Sequence, residues 1–324
     1  MIPEATQENK KPMMPTTQMG QGQMDFIHKG KVKNVYAVDE KTLEFEFSDR
    51  VSVFDKIIPS DIPYKGETLC RTSAYWFSIC QKVGIKTHFL KQTAPNKMHV
   101  KRVQVIHDYS KIDSNTRNYL IPLEVIVRYY AYGSLYDRIL EGQVTPVQLG
   151  FPANHKIQKA ESLPEPFFEV TTKLEKIDRP LQKDEAIRIS GMSLKEWDDL
   201  KEAALKIDAH INREVKSRGL VHVDGKKEFA FDQDRQLMVV DTFGTADEDR
   251  FWDLKEFEQG RHVEKSKEFV RQHYRETGYH EALYAARKAG TQEPDIPALP
   301  EELVQKTSQV YVELFEQLTG QKFR

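Results

Sequence analysis

The sequence contains little cysteine and no long apolar run. Two of its 324 residues are cysteines, Cys70 and Cys80. Both lie on one predicted helix, where a rise of 1.5 Å per residue separates them by about 15 Å, too far for a disulfide. We therefore expect reduced thiols in the core and a reducing, cytoplasmic location. No apolar run approaches the ~20 residues that a transmembrane helix needs, so no membrane partner is expected.

The chain also lacks a charge excess of either sign. Its 48 basic and 50 acidic residues give a net charge of −2. Proteins that bind nucleic acid usually have a basic excess, so we expect no nucleic-acid partner. A Walker A motif, a nucleophile elbow and the His and Cys spacings of metal sites are all missing. Nothing in the sequence gives the oligomeric state.

Residues 1–23 differ in composition from the rest of the chain. They are rich in Gln, Thr, Pro and Met and have no apolar segment of the kind found in secretory signals. We expect a disordered tail. The β-rich pattern that follows predicts an N-terminal lobe over residues 24–120. This lobe would contain strands at 32–38, 43–47, 85–90 and 100–106 and a helix at 67–83.

Residues 121–324 are predicted to form an α/β C-terminal lobe with terminal helices. A β-prone run covers 123–129, and the segment 142–188 has many Pro, Lys and Glu residues without a clear period. We expect long functional loops in that segment. The helix predicted over 193–218 begins with a capping box formed by Ser193 and Glu196. The chain is therefore predicted to be an α+β protein of two lobes with a cleft between them.

Two carboxylates are predicted to face each other across a β-hairpin over residues 228–241. Residues 233–236 separate two apolar arms and suit a four-residue turn. A register symmetric about that turn would pair Glu228 with Asp241. Opposed acids repel each other, and Mg²⁺ between them would stabilise the pair, although two solvated acids are an equal alternative. One face of the hairpin would then carry Phe229, Phe231, Met238 and Val240.

Basic residues in two places have the chemistry of phosphate binding. Lys31 and Lys33 follow Gly30 and project from one strand face, although alternating lysines are also typical of a solvated face. Arg128 ends a predicted strand, and Ser134 is a possible N-cap of the next helix. A guanidinium, a hydroxyl and free N–H groups together favour phosphate, whereas a plain cap and a surface arginine are the alternative.

Taken in order, these segments resemble the SAICAR synthetase family. The resemblance runs from about residue 26 to residue 285, and the order and spacing of its motifs are more specific than any one motif. The matching segments are 30–36 (GKVKNVY), 48–55 (SDRVSVFD), 62–66 (IPYKG), 125–135 (VIVRYYAYGSL), 171–173 with Asp178, 223–229 (VDGKKEF) and 240–252.

The resemblance implies a two-lobed SAICAR synthase-like fold and an ATP-dependent ligase. The β-rich N-terminal lobe would bind ATP, and the α/β C-terminal lobe would resemble ATP-grasp enzymes. ATP phosphorylates the carboxylate of a carboxyaminoimidazole ribonucleotide (CAIR), the amine of L-aspartate attacks the acyl phosphate, and ADP and phosphate leave. The implied cofactors are ATP and Mg²⁺, and the implied partners are these small molecules.

The same resemblance implies roles for individual residues. Lys31 and Lys33 would bind the triphosphate, and Glu228 and Asp241 would bind ATP through the metal. Lys226 and Asp224 would be catalytic. The residues implied in substrate binding are Arg128, Ser134 and Arg250, at the phosphate of the ribonucleotide, and Ser52, Asp55, Lys65, Lys173 and Asp178.

The sequence departs from the family pattern at several site positions. Thr242 replaces a glutamate, Ala246 replaces a proline, and Glu248 and Asp249 replace two small hydroxyl residues before Arg250. Two extra negative charges would weaken the contact of Arg250 with a phosphate unless they point away from it. A second hypothesis therefore keeps the scaffold and ATP but changes the amine or the carboxylate substrate. A third is a nucleotide-binding protein without catalysis.

Overall fold

The structure is a computed structural model, and it describes residues 24–265 and 267–324. The segment 1–23, for which we expect disorder, lies outside the described residues. The strands are β1 (Asp25–Lys29), β2 (Lys33–Ala37), β3 (Thr42–Phe47), β4 (Arg50–Val53), β5 (Lys56–Asp61), β6 (Phe89–Ala94), β7 (Lys97–Lys101), β8 (Tyr119–Tyr130), β9 (Ser162–Thr172), β10 (Leu220–Phe231), β11 (Leu237–Val240) and β12 (Asp249–Asp253). The helices are α1 (Lys65–Lys82), α2 (Ser134–Leu140), α3 (Lys183–Ser190), α4 (Leu194–Lys216), α5 (Leu254–Glu258), α6 (Glu268–Glu276), α7 (Tyr279–Ala289) and α8 (Glu301–Thr319).

The first sheet is antiparallel and has the strand order β1-β2-β3-β7-β6. On β3, Phe45 and Phe47 are buried and belong to the same core cluster as Phe77 of α1. The alternation of β3 therefore covers one face of the sheet with a helix, as the sequence predicts. The strand expected at 85–90 forms only from Phe89, and the one expected at 100–106 is β7, which ends at Lys101.

The second sheet is also antiparallel, with the order β11-β10-β8-β9 and with β12 paired to the first part of β10. Its two central strands, β8 and β10, have 12 residues each and are buried along most of their length. The two sheets, with helices packed against them, form an α+β fold, which confirms the predicted class. The lobe boundary at residue 120 stays a prediction.

The prediction of long loops over residues 142–188 is wrong in part. Residues 142–161 and 173–182 lack strands and α-helices, but the segment also contains the 11-residue strand β9 and most of the helix α3. Pro164 and Pro166 obscure the strand in the sequence because proline removes a hydrogen-bond donor. In the described residues β9 forms the outer edge of its sheet, where a strand tolerates proline.

The predicted register of the hairpin is wrong by one residue. Glu228 pairs with Val240, and Phe231 pairs with Leu237. The carboxylate of Asp232 accepts hydrogen bonds from the backbone N–H groups of residues 234 and 236, which lengthens the turn to residues 232–236. Phe229 and Phe231 therefore face the main core, and Met238 and Val240 pack in a separate cluster with Ala230.

The helices agree well with their sequence signals. Helix α4 has the predicted capping box, in which Ser193 and Glu196 exchange hydrogen bonds. Cys70 and Cys80 are free and buried on α1, which confirms their packing role. The C-terminal helix α8 packs against α1, with the guanidinium of Arg71 4.3 Å from the ring centre of Phe315. Among the described residues, every helix is too short or too polar to cross a bilayer.

Candidate active site

A cavity of about 320 Å³ lies between the Gly30–Lys33 turn and β10. Below we call it the lysine cavity, because four lysines line it together with several carboxylates. Ser48 holds the turn through a backbone N–H bond to the carbonyl of Val32, and Arg50 donates to the carbonyl of Gly30. The predicted members of this site that line the cavity are Lys31, Lys33, Lys173, Lys226, Glu228 and Asp241.

Glu228 is the most deeply buried carboxylate of the lysine cavity. The ammonium of Lys173 donates to it at 2.5 Å and that of Lys226 at 3.3 Å. Burial alone would raise the pKa of Glu228, but the positive charges of these lysines outweigh burial and lower the pKa to about 2. Glu228 is therefore ionised at neutral pH and available as a hard oxygen ligand for a cation.

Asp241 reaches the cavity by a different route from the one predicted. It follows the last residue of β11 and adopts a left-handed backbone with φ 61°, a conformation that aspartate tolerates better than most residues. Its carboxylate forms an ion pair with Lys33. Two acids, Glu228 and Asp241, thus line one cavity although they are not opposed across the hairpin. The donor set suits Mg²⁺, which carboxylate oxygens and phosphates bind.

Lys33 is a lysine in an apolar and partly enclosed setting. Its ammonium lies 4.6 Å from the ring centre of Phe45. Burial lowers the pKa of Lys33 to about 8, against the opposing effect of Glu228 and Glu248. An ammonium that has already lost part of its hydration is well suited to contact a phosphate.

Lys226 lies at the centre of three carboxylates. Its ammonium is 3.0 Å from Glu124, 3.3 Å from Glu228 and 3.2 Å from Glu248. Burial alone would lower the pKa of Lys226, but the three acids outweigh it and raise the pKa. Lys226 is therefore held as a cation in a fixed position.

A second cavity, of about 540 Å³, lies at the N-terminal end of α2. We call it the arginine cavity, because Arg250, Arg271 and Arg275 line it together with Gly133. The guanidinium of Arg250 lies 3.3 Å from the carboxylate of Asp224.

Arg128 is buried beside the arginine cavity and links three elements. It donates to Asp224 at 3.0 Å, to Glu169 at 2.6 Å and to the hydroxyl of Ser134 at 3.2 Å. Gly133 is the N-cap of α2, so Ser134 is its first residue and the predicted capping role of Ser134 is wrong. Arg128, Ser134 and Arg250 are nevertheless brought together as predicted, around Asp224.

Strand β10 joins the two cavities. Asp224, Lys226 and Glu228 occupy alternate positions, so their side chains project from one face of the sheet. At about 3.3 Å per residue, the Cα atoms of Asp224 and Glu228 are about 13 Å apart. The row therefore runs from the arginine cavity at one end to the acids of the lysine cavity at the other.

The remaining predicted residues do not belong to this row. Lys31 forms an exposed ion pair with Asp55 at 2.8 Å. Ser52 pairs with Ile57 between β4 and β5 and is half-buried. Asp178 is largely exposed. Desolvation of its carboxylate raises its pKa, although the positive charges of nearby Lys173 and Lys226 act to lower it.

Lys65 differs from the other predicted site lysines in being fully buried. Its ammonium donates to Asp247 at 2.7 Å, and the hydroxyl of Tyr311 donates to the same carboxylate at 2.6 Å. Burial alone would raise the pKa of Asp247, but Lys267 and Lys65 hold it well below its ordinary value. Because Asp247 lines the lysine cavity, Lys65 contacts the site through that carboxylate. A substrate contact for Lys65 stays a prediction.

Sequence reasoning missed the acids on the other strands of the site. Glu124 contacts Lys226, and Glu169 contacts both Arg128 and Arg138. The signal for Glu124 was present, since the alternation along β8 places it on the same face as Arg128. Glu169 has no comparable signal, because the sequence predicts a loop where β9 forms.

A buried ionic cluster lies on the opposite face of β10. Lys227 forms an ion pair with Asp208 of α4 and lies 3.9 Å from Asp249 of β12. The imidazole of His222 contacts Asp249 at 2.8 Å and Asn212 at 2.7 Å. The side chains of Asp208, Asp249, His222 and Lys227 are fully buried. Asp249 therefore points away from Arg250, so one of the two extra charges does not weaken that arginine.

An α+β fold with one cavity lined by lysines and a second lined by arginines has the groups that bind phosphorylated small molecules. Comparison with known proteins specifies the class of protein. A sequence profile of SAICAR synthetase matches residues 26–286, and the chain belongs to this family. Members join CAIR and L-aspartate in an ATP-dependent reaction of purine biosynthesis.

Individual relatives agree with the family assignment. The chain is 52% identical over 300 residues to phosphoribosylaminoimidazole-succinocarboxamide synthase of Thermoplasma volcanium, covering 93% of this chain and 100% of the relative. The same enzyme of Thermoplasma acidophilum is also 52% identical, with the same coverage. The structure of SAICAR synthase from Saccharomyces cerevisiae complexed with SAICAR superposes with a TM-score of 0.71, covers 95% of this chain and 99% of that chain, and is 23% identical. A SAICAR synthetase structure in complex with ADP gives a TM-score of 0.64 at 24% identity, with 92% and 99% covered.

Proposed function

We propose that the two cavities divide the substrates of the family reaction between them. The lysine cavity takes the triphosphate of ATP, and the arginine cavity takes the phosphate of the ribonucleotide. The observation that carries this proposal is the row Asp224, Lys226 and Glu228 on one strand face. Lys226 and Glu228 line the lysine cavity, and Asp224 contacts Arg250 of the arginine cavity. The carboxylate of CAIR would then lie near Lys226, within reach of the γ-phosphate.

The lysine cavity has the charges that a triphosphate needs. Lys31, Lys33 and Lys173 supply positive charge to the phosphate oxygens, and glycine at position 30 lets the backbone approach them. Mg²⁺ fits Glu228 and Asp241 and would neutralise charge on the transferred phosphoryl group. Both acids now pair with lysines, which would turn to the phosphates when the cation binds.

Lys226 and Asp224 have different proposed roles. Lys226 neutralises charge that develops as the carboxylate of CAIR takes the phosphoryl group, and a fixed cation does so without reorganisation. Asp224 contacts the guanidinium groups of Arg128 and Arg250, so we assign it to positioning them. Asp178 lies near Lys173 and Lys226 at the open side and could meet the amine of L-aspartate.

The reaction itself is tested by phosphate release from purified protein with ATP and Mg²⁺. We expect release only when both CAIR and L-aspartate are present, because the acyl phosphate forms on one substrate and is consumed by the other. Equal turnover with another amino acid would favour the second hypothesis of a changed amine. ATP binding without release under any of these conditions would favour the non-catalytic one.

Gly133 offers a test of the arginine cavity. A Cβ at this position would lie 1.9 Å from Nη1 of Arg250, and φ is +57°. We expect Gly133→Ala to displace the guanidinium and raise the KM for CAIR about 10- to 100-fold, the loss of one charged hydrogen bond. The KM for ATP should change little. Steady-state kinetics with each substrate varied in turn measures both values.

The control for this variant is Gly142→Ala. Gly142 also has a positive φ, of +72°, but an added Cβ there meets nothing within 4 Å. It therefore also places a side chain at a residue with positive φ, but without touching Arg250. Equal effects of the two substitutions on the KM for CAIR would contradict the assignment of the arginine cavity.

We base a proposal for the cellular location on the two thiols. Cys70 and Cys80 are free and buried, and burial raises the pKa of Cys80 to about 12. Such thiols are inert packing groups, and a cytoplasmic, reducing compartment suits a chain that uses no disulfide between them.

A further inference from the structure

Glu248 lines the lysine cavity and contacts both Lys226 and Thr242. Its carboxylate is 3.2 Å from the ammonium of Lys226, and the hydroxyl of Thr242 lies 3.4 Å from the other oxygen. Both Thr242 and Glu248 line the cavity beside Glu228 and Asp241. Glu248 therefore lies inside the site rather than beside Arg250 at its edge.

The backbone fixes this orientation. The N–H of Lys226 donates to the carbonyl of Glu248 at 3.3 Å, so Glu248 lies directly beside β10. The next residue, Asp249, points to the opposite face, where it accepts hydrogen bonds from the N–H of Gly244 at 2.8 Å and from His222 at 2.8 Å. Glu248 is the last residue of the turn before β12, so the anchored Asp249 and the backbone bond to Lys226 hold it at the cavity.

We propose that Glu248 is a positioning residue that holds the ammonium of Lys226 between the two cavities, and that an acid at position 242 can do the same. This inference rests on the proposed function, because it concerns the reach of Lys226 toward the transferred phosphoryl group. Glu124 and Glu228 contact Lys226 from β8 and from its own strand, and Glu248 contacts it from a third direction, the turn before β12.

An acid at position 242 can take the place of Glu248 because the two side chains lie next to each other. The Thr242 hydroxyl is already at the carboxylate of Glu248, so a longer acidic side chain at 242 can place its own carboxylate there. Positions 242 and 248 are therefore two backbone positions from which one carboxylate can reach Lys226.

The test compares Glu248→Ser with the double variant Thr242→Glu/Glu248→Ser. We expect the single variant to lose about 100-fold in kcat, the scale of a misplaced reactive group, with the KM for ATP within about twofold of the wild type. The double variant should recover to within about fivefold of the wild type. Thr242→Glu alone puts two acids together and should be slower than the double variant. Glu248→Gln, which keeps the size and removes the charge, should behave as Glu248→Ser.

A second readout does not depend on turnover. Lysine ammonium groups labelled by reductive ¹³C-methylation give one NMR signal each, and Lys226→Arg assigns the signal of Lys226. We expect that signal to shift in Glu248→Ser and to return in the double variant, with equal thermal unfolding midpoints.

The outcomes separate this inference from the proposed function. A wild type that releases no phosphate with CAIR and L-aspartate overturns the proposed function, while the NMR comparison still tests the contact. An active wild type with an unchanged kcat in Glu248→Ser or Glu248→Gln overturns the inference alone. So does a double variant no faster than Glu248→Ser, or a Lys226 signal that does not move.

Discussion

Replacing Glu228 by glutamine is expected to lower kcat by about 1,000-fold, the loss that follows removal of one preorganised electrostatic contact in an active site. The amide has the same size but cannot carry the negative charge that Lys173 and Lys226 now contact at 2.5 and 3.3 Å. It also removes one of the two acids proposed to hold Mg²⁺. Half-saturation by Mg²⁺ should therefore move to higher concentration, and we expect binding of ATP without the metal to change little.

The measurement is kcat as a function of Mg²⁺ concentration, together with calorimetric binding of ATP. Glu46→Gln is the matched control, since Glu46 is a strand acid that contacts Lys97 at 3.0 Å outside the lysine cavity. It should keep full activity. Full activity in Glu228→Gln would remove Glu228 from the reaction, and loss in both variants would indicate a general effect on the fold.

Replacing Lys227 by methionine is expected to lower the free energy of unfolding by about 3–5 kcal/mol, the cost of breaking a buried ion pair. Burial alone would lower the pKa of Lys227, but Asp208 and Asp249 outweigh it, so the ammonium stays charged. Methionine fills a similar volume and leaves both acids without their counter-charge. The buried cluster joins α4 to β10 and β12, so its loss should affect the whole fold.

Urea denaturation followed by circular dichroism measures this difference. Lys216→Met serves as the control on the exposed face of α4, where surface substitutions change stability by about 0.5 kcal/mol or less. The double variant Asp208→Leu/Lys227→Met removes both charges and should recover much of the loss. A Lys227→Met protein as stable as the wild type would show that the cluster contributes nothing to stability.

Local sequence signals predicted the elements that depend on neighbouring residues. The capping box of Ser193 and Glu196 formed as expected, because its hydrogen bonds join residues three apart. The alternation of β3 and the helix α1 were also read correctly. In contrast, the two prolines of β9 made its sequence resemble a loop. Proline is tolerated in an edge strand, and only the tertiary structure shows that β9 lies at an edge.

The hairpin shows how two acids can line one cavity although their predicted pairing is wrong. The register shift comes from the side chain of Asp232, which accepts two backbone N–H groups and adds a residue to the turn. Glu228 and Asp241 still line one cavity, because the left-handed backbone at Asp241 turns the chain toward Lys33. The amino-acid composition of the turn indicates neither the extra turn residue nor the left-handed backbone at Asp241.

The sequence by itself determined the family, the α+β class and the set of charged residues, because motif order and periodicity are properties of neighbours along the chain. Only the tertiary structure decided which charges meet. Glu124 and Lys226 come from two strands and Glu248 from a turn, and Lys65 and Lys227 are buried although lysine is usually exposed. Ion pairing depends on distances between residues far apart in the chain, and packing of the sheet sets those distances.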